Sequence, residues 1–512
     1  MVKGLAGEKM SDRTVSILVL AVAGLLVAGD VARANNITVT NVVMAGQTNY
    51  ATWQVRFDIQ WENSWRCDTN PPQAPYNHDA AWVFLKWRNT SAGTTDWQRA
   101  TLSTNAADHV APTGCTIAVG LDGRRDAWGA TGIGVFLYRK APGGGAFTNH
   151  VRLAWNYADD GAGGGAQIEM KVCAIEMVYV PEGAFYLGSG GGEVSHFYRP
   201  DGTAQTTTPY QVLSETNAIT VSTNSGNLYY ASSTYGGDQT GTISNAYPKG
   251  YRAFYCMKYE ISQGQYADFL NTLTYTQASN RWYRTAIPSY RYAITNIGGA
   301  YSSINPYVAC NYLSWEDVAA YADWAGLRPL TELEYEKACR GTNTPVANEY
   351  AWGSISITLA TNIVSAGQAN EVPLPIMANG VASNQPGVQG PMRVGCMGVA
   401  TGERERTGAG YYGIMELSGN LWERPVTVGT NAGRAFTGQH GDGTLTTTEG
   451  NANVESWPGT NAIGSGSRGG AWDNVMIYLC MSDRMLAAQV ALGRFSYRGG
   501  RGARSAPSGV GP

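Results

Sequence analysis

The strongest constraint in this sequence is an alternation. Trp53, Val55, Phe57, Ile59 and Trp61 are separated by Gln54, Arg56, Asp58 and Gln60. Apolar residues at every second position describe a strand with one buried and one wet face. Residues 81–87 and 133–138 are short apolar runs, and Val151, Leu153 and Trp155 alternate again. Turn formers separate these runs, among them Asn70-Pro71-Pro72 and Pro142-Gly143-Gly144-Gly145. Helical periodicity of useful length is lacking. The segment 36–165 is therefore expected to be an all-β sandwich. Asp122, Arg124, Arg125 and Asp126, just before Trp128, read as a solvated turn with local ion pairs. Residues 159–165 are acidic and then glycine-rich, which suits a flexible junction.

The N-terminus reads as a targeting segment. Lys9 and Arg13 precede an apolar run at 15–28, and Ala32-Arg33-Ala34 fits a small-x-small cleavage site. The run is shorter than the roughly 20 residues of a membrane span. A signal peptide is expected over 1–34, followed by a secreted or cell-surface protein with no transmembrane segment in its mature chain. Export permits disulfides. The eight cysteines are widely spaced without a CxxC, so zinc knuckles and thioredoxin-like chemistry lack support. Cys67 and Cys115 could form a local bridge. Charged residues make up 15% of the chain and the net charge is −3, with no Lys/Arg block, which argues against nucleic acid as a partner. Fifteen Trp, 30 Tyr and 10 Phe are more than one core absorbs, so some should lie outside. Self-association, or an extracellular protein or glycan partner, is the expectation.

The segment 170–512 carries a series of ordered blocks. Residues 175–183 read Ile-Glu-Met-Val-Tyr-Val-Pro-Glu-Gly and are followed by Phe185-Tyr186-Leu187-Gly188. Residues 255–262 come next, then Gln265 and Tyr266, with Tyr266, Phe269 and Leu270 on one helix face. In 311–321, Ser314 and Asp317 form a capping box ahead of the buried stripe Val318, Tyr321 and Ala322. In 326–336, Thr331 and Glu334 form a second box, and Tyr335 takes a core position. Residues 412–423 and Ser467-Arg468-Gly469-Gly470-Ala471-Trp472 complete the series, with Arg484, Arg498 and Gly502-Ala503-Arg504 after them. These blocks resemble the formylglycine-generating enzyme, or sulfatase-modifying factor, family. Residues 412–423 are similar to its GLxDMxGNVWEW block and 468–472 to its RGGSW block. The resemblance implies an irregular α+β domain related to C-type lectins.

It also implies where chemistry would sit. In the oxygen-dependent formylglycine generators, the active cysteine pair follows the RGGSW block. Those positions are Asn474 and Leu479 here, and neither binds copper as a thiolate or exchanges a disulfide. Cys480 lies one residue beyond. The five histidines, His78, His109, His150, His196 and His440, include no helical pair of the kind that holds iron in related sulfoxide synthases. The resemblance further implies calcium, held by Glu416, Glu423 and the backbone carbonyls of Gly419 and Leu421. A second site would use Asn362 with the carbonyl of Ile363. Noncatalytic relatives present a ligand-facing surface at the end of the fold that corresponds to Asp473, Asn474, Tyr478, Ser482 and Asp483. The expectation is a noncatalytic surface protein that binds a ligand or builds an extracellular assembly. The alternative is a metal-dependent oxidoreductase with an altered site, drawing on Cys480, Cys396 or a histidine.

Overall fold

The computed structural model describes residues 37–511 apart from 50, 69–75, 93–95, 125–126, 163–166, 204–206, 232–233, 286–288 and 399–402. The signal peptide read at 1–34 lies outside the described residues, as do Arg125 and Asp126. The described residues fall in one compact unit. Among them, no helix is long and apolar enough to cross a membrane.

A strand-rich region comes first. Its strands are β1 (Thr38–Asn49), β2 (Thr52–Cys67), β3 (Asn77–Asn89), β4 (Cys115–Arg124), β5 (Ala127–Arg139) and β6 (Gly143–Trp155). The alternation in β2 works as expected. Val55, Phe57, Ile59 and Trp61 are buried, and Arg56 and Gln60 are exposed. In one layer β2 pairs with β1 and β6. In the other, β3 pairs with β5, and β5 with β4. Val55, Phe57 and Leu153 of the first layer pack on Val83, Leu85 and Val135 of the second, which closes a sandwich. The outer strand β1 breaks register against β2 at three places, which blunts it as a template for another chain.

A mixed α+β region follows, and its sheet is the sandwich's second layer continued. Strand β7 (Ile168–Val180) pairs with β3 from Asp79↔Val178 to Asn89↔Ile168. Beyond it come β8 (Phe254–Met257), β9 (Arg328–Pro329) and β10 (Gly502–Ser505), in the order β7-β8-β10-β9. The continuous apolar run in β3 has its reason here. Ala81, Val83 and Leu85 face the sandwich core, whereas Ala80, Trp82 and Phe84 face the α+β core. A strand covered on both sides has no wet face to alternate toward.

Helices α1 (Gln263–Leu270) and α2 (Trp315–Trp324) cover this second face, whereas α3 (Glu332–Arg340) packs Tyr335, Ala338 and Cys339 on Val178, Val180 and Phe254, on the other side of the sheet. Each starts at a complete capping box: Ser262 with Gln265, Ser314 with Asp317, and Thr331 with Glu334. Val318, Tyr321 and Ala322 are buried, as is Tyr335, whose hydroxyl donates to Leu417 O at 2.6 Å. Trp324 meets Phe84 edge-on at 5.0 Å, and Trp82 Nε1 donates to Ala325 O at 2.7 Å. A Cβ on Gly134 would stand 2.6 Å from the Trp82 ring, so only glycine lets β5 pass it.

Candidate functional site

The block at 467–472 is anchored by charge. Arg468 donates to Glu332 at 3.1 Å and to Glu336 at 2.8 Å, and Arg484 donates to Glu332 at 2.9 Å, with every side chain closed to solvent. The glycines then bring the next loop close. Gly470 has φ +72°, and a Cβ there would fall 2.7 Å from Leu479 Cδ1. The loop 473–480 is thereby pressed against the turn, with a short 3-10 helix at Met476–Leu479.

The positions expected for a cysteine pair hold other chemistry. Asn474 is half-buried, and Leu479 is fully buried. Cys480 turns inward, its Sγ 3.4 Å from Asn348 O, and burial pushes its thiol up to about 12. Burial likewise holds the Cys396 thiol well above its usual range. Among the described residues no disulfide forms, and Cys67 and Cys115 are not bridged.

Next to Asn474 lies a cleft of about 520 Å³. Trp422, Tyr478, Phe495 and Tyr497 are among its walls, with the amides of Asn474 and Gln489. Phe495 and Tyr497 stack at 5.3 Å and 15°, and Trp422 lies 6.0 Å from Tyr478. The exposed side chains of Val490 and Leu492 form part of the same lining. Backbone bonds fix the opposing segments, from Trp422 N to Tyr497 O at 2.9 Å and from Trp472 N to Asn420 O at 2.9 Å.

Of the five residues expected to face a ligand, Asn474 and Tyr478 line this cleft, and Asp473 is half-buried beside them. Ser482 and Asp483 instead lie in the interior. Ser482 Oγ accepts from Arg340 Nη2 at 3.0 Å, and Asp483 accepts from the backbone of Met485 and Val194. Sequence reasoning missed the segment from Gln489 to Arg498, which supplies much of the cleft. Its signal was the aromatic alternation Phe495-Ser496-Tyr497 ahead of Gly499-Gly500.

The calcium expectation is overturned. Among the described residues no group of three His, Cys, Asp or Glu side chains is placed to hold a metal ion. Glu423 Oε1 receives Arg501 Nε at 2.5 Å, so a guanidinium supplies the positive charge assigned to the ion. Glu416, at φ +54°, accepts the Gly395 N–H at 2.7 Å. The turn between them is tied by Glu260, which receives Leu421 N at 2.9 Å and Asn420 Nδ2 at 2.5 Å, while Gly419 N donates to Gly469 O at 2.8 Å. Asn362 is exposed, and its Oδ1 accepts the N–H of Ile363 at 2.9 Å. The buried histidine of β3 serves structure as well. His78 stacks between Tyr138 at 4.5 Å and Tyr179 at 4.8 Å, and burial lowers its pKa to about 3.

Compared with known families, residues 204–456 match the sulfatase-modifying factor enzyme 1-like domain. The blocks at 175–188 and 467–504 flank that match. β7 and β10 nevertheless pair directly with β8, inside it. No curated protein matches the chain.

Proposed function

Because the chain carries a sulfatase-modifying factor enzyme 1-like domain, with Asn474 and Leu479 where the family's formylglycine generators carry their cysteines, we propose that it is a noncatalytic binding protein whose ligand enters the cleft beside Asn474. The observation that carries this reading is the lining itself. Aromatic faces, two amides, aliphatic groups and one arginine offer stacking and hydrogen bonding. Thiolate chemistry is poorly served nearby, since Cys480 points away and its burial disfavours the charged form. A volume of about 520 Å³ suits a small ligand or one projecting group of a larger one. Export to the cell surface is part of the proposal and rests on the basic and apolar pattern of residues 9–28.

The test is direct. The purified protein is incubated with a cysteine-containing sulfatase peptide, copper and oxygen, and the peptide mass is followed. The expected result is unmodified peptide. Appearance of the aldehyde would sink the proposal.

A further inference from the structure

Nearly every buried arginine around the cleft has a carboxylate. Arg468 and Arg484 have Glu332, Arg501 has Glu423, and Arg340 has Glu349. Arg498 and Arg424 differ. Arg498 is 4% exposed and lines the cleft. Its Nη1 reaches Gly493 O and its Nη2 reaches Gln489 Oε1, both at 3.3 Å, and its buried Nε has no partner. Arg424 is 2% exposed and donates to Ser467 Oγ at 3.2 Å and Ala491 O at 3.1 Å, again with Nε unpartnered. Ser467 and Ala491 both belong to the cleft lining. Burial first, and then the charge of Arg498, lower the pKa of Arg424 to about 9. Arg498 also lies 4.6 Å over the Phe495 ring, yet two buried cations whose hydrogen-bond acceptors are all neutral remain costly unless an anion completes them.

Resting on the binding reading above, we propose that the cleft holds an acidic saccharide whose carboxylate or sulfate sits on Arg498. The Nε of a guanidinium and its neighbouring Nη form the fork that takes a two-oxygen anion. The part-exposed rings of Phe495 and Tyr497 offer apolar surface for the C–H groups of a sugar next to the Arg498 guanidinium, which lies over the Phe495 ring, and Asn474 and Gln489 can bond hydroxyls. An acidic peptide is less well served. None of the lining residues lies in a strand, so the cleft has no sheet edge to pair with an extended main chain.

Calorimetric titration of the full chain with a galacturonic acid tetrasaccharide, a sulfated galactose tetrasaccharide, a neutral galactose tetrasaccharide and a hexaglutamate peptide tests this. One or both acidic sugars should bind at least about tenfold more tightly than the neutral one, an advantage that shrinks from 50 to 500 mM salt. Arg498→Gln should abolish the preference, and Arg498→Lys should keep part of it. The salt series decides the matter if Arg498→Gln does not fold. Equal affinity for acidic and neutral sugars overturns the role of Arg498 while leaving the cleft as a binding site. Tighter binding of the peptide, or no binding of any sugar, overturns the saccharide assignment. The binding reading falls separately, on the aldehyde assay.

Discussion

Arg501 and Glu423 form an ion pair closed to solvent, with Nε 2.5 Å from Oε1. Arg501 also donates to Met415 O at 2.8 Å, and burial and the neighbouring Glu423 and Glu416 hold the Glu260 carboxyl well above the usual carboxylate range. One guanidinium thus neutralises a crowded acidic turn. Arg501→Met should cost about 3–5 kcal/mol, because it leaves a buried carboxylate uncompensated. The double variant Arg501→Met/Glu423→Gln should recover part of that loss. Urea unfolding measures both, and a single-variant cost below about 1 kcal/mol would contradict the pairing. Chelator should leave Tm unmoved, since the arginine stands where an ion was expected.

Glu416 makes stability depend on pH. Burial raises its pKa to about 7, only Oε1 has a donor, and Oε2 has none. The folded carboxyl holds its proton more tightly than the unfolded one, whose value is near 4.5. The folded state therefore binds more protons between these values, and stability falls as pH rises from about 4.5 to about 7. Glu416→Gln keeps the acceptor for Gly395 and removes the titration. Its stability should fall less steeply over that window, by roughly 1.4 kcal/mol for every tenfold by which folding tightens proton binding at Glu416. Denaturant titrations at pH 4.5, 6 and 7.5 would show this, and parallel curves for both proteins would refute it.

What could be read from the sequence is what local pattern determines. The alternation in β2 and the boxes at Ser314/Asp317 and Thr331/Glu334 involve neighbours within a few residues, and all appear in the structure. Charge pairing was not legible. Glu423 pairs with Arg501, 78 positions away, while Arg468 and Arg484 both go to Glu332. Any of these arginines satisfies the same sequence rule, and only the fold selects among them. Asn420 likewise finds distant partners, donating to Glu260 and accepting the Met392 N–H at 2.8 Å. The cleft was half legible for the same reason. Asn474 and Tyr478 follow a recognisable block, whereas Gln489 and Arg498 arrive from a later loop.

Trp82 ties β3, the strand shared by the two cores, to the α+β region. It lies in β3, bonds Ala325 O at the end of α2 and carries the Arg504 guanidinium 4.5 Å above its ring. Since β3 contributes to both cores, the sandwich and the α+β region should unfold together. Calorimetry of residues 35–512 should show one transition, and Trp82→Ala should lower it at a cost of about 3–5 kcal/mol. Two resolved transitions, with Trp82→Ala moving only one, would separate what the shared sheet joins.

Cys480 allows the closed state of the loop 473–480 to be measured. The residue is 3% exposed, Asn348 O lies 3.4 Å from its Sγ, and burial pushes its thiol up to about 12. At pH 8, four pH units below that value, the thiolate fraction is on the order of one in ten thousand. The thiolate is the reactive form, so native Cys480 should resist alkylation for as long as the fold holds. Cys67 and Cys115 are half-exposed and should label first. Cys256, Cys310, Cys339 and Cys396 are buried and should behave like Cys480. Timed labelling with iodoacetamide, followed by peptide mass mapping, separates the sites, and labelling in urea provides the fully accessible reference. Native Cys480 should label at least about a hundredfold more slowly than in urea, through rare opening of the loop 473–480. If it instead labelled as fast as Cys67, it would be an accessible, activated thiol beside the cleft, and the noncatalytic reading would lose its chemical basis.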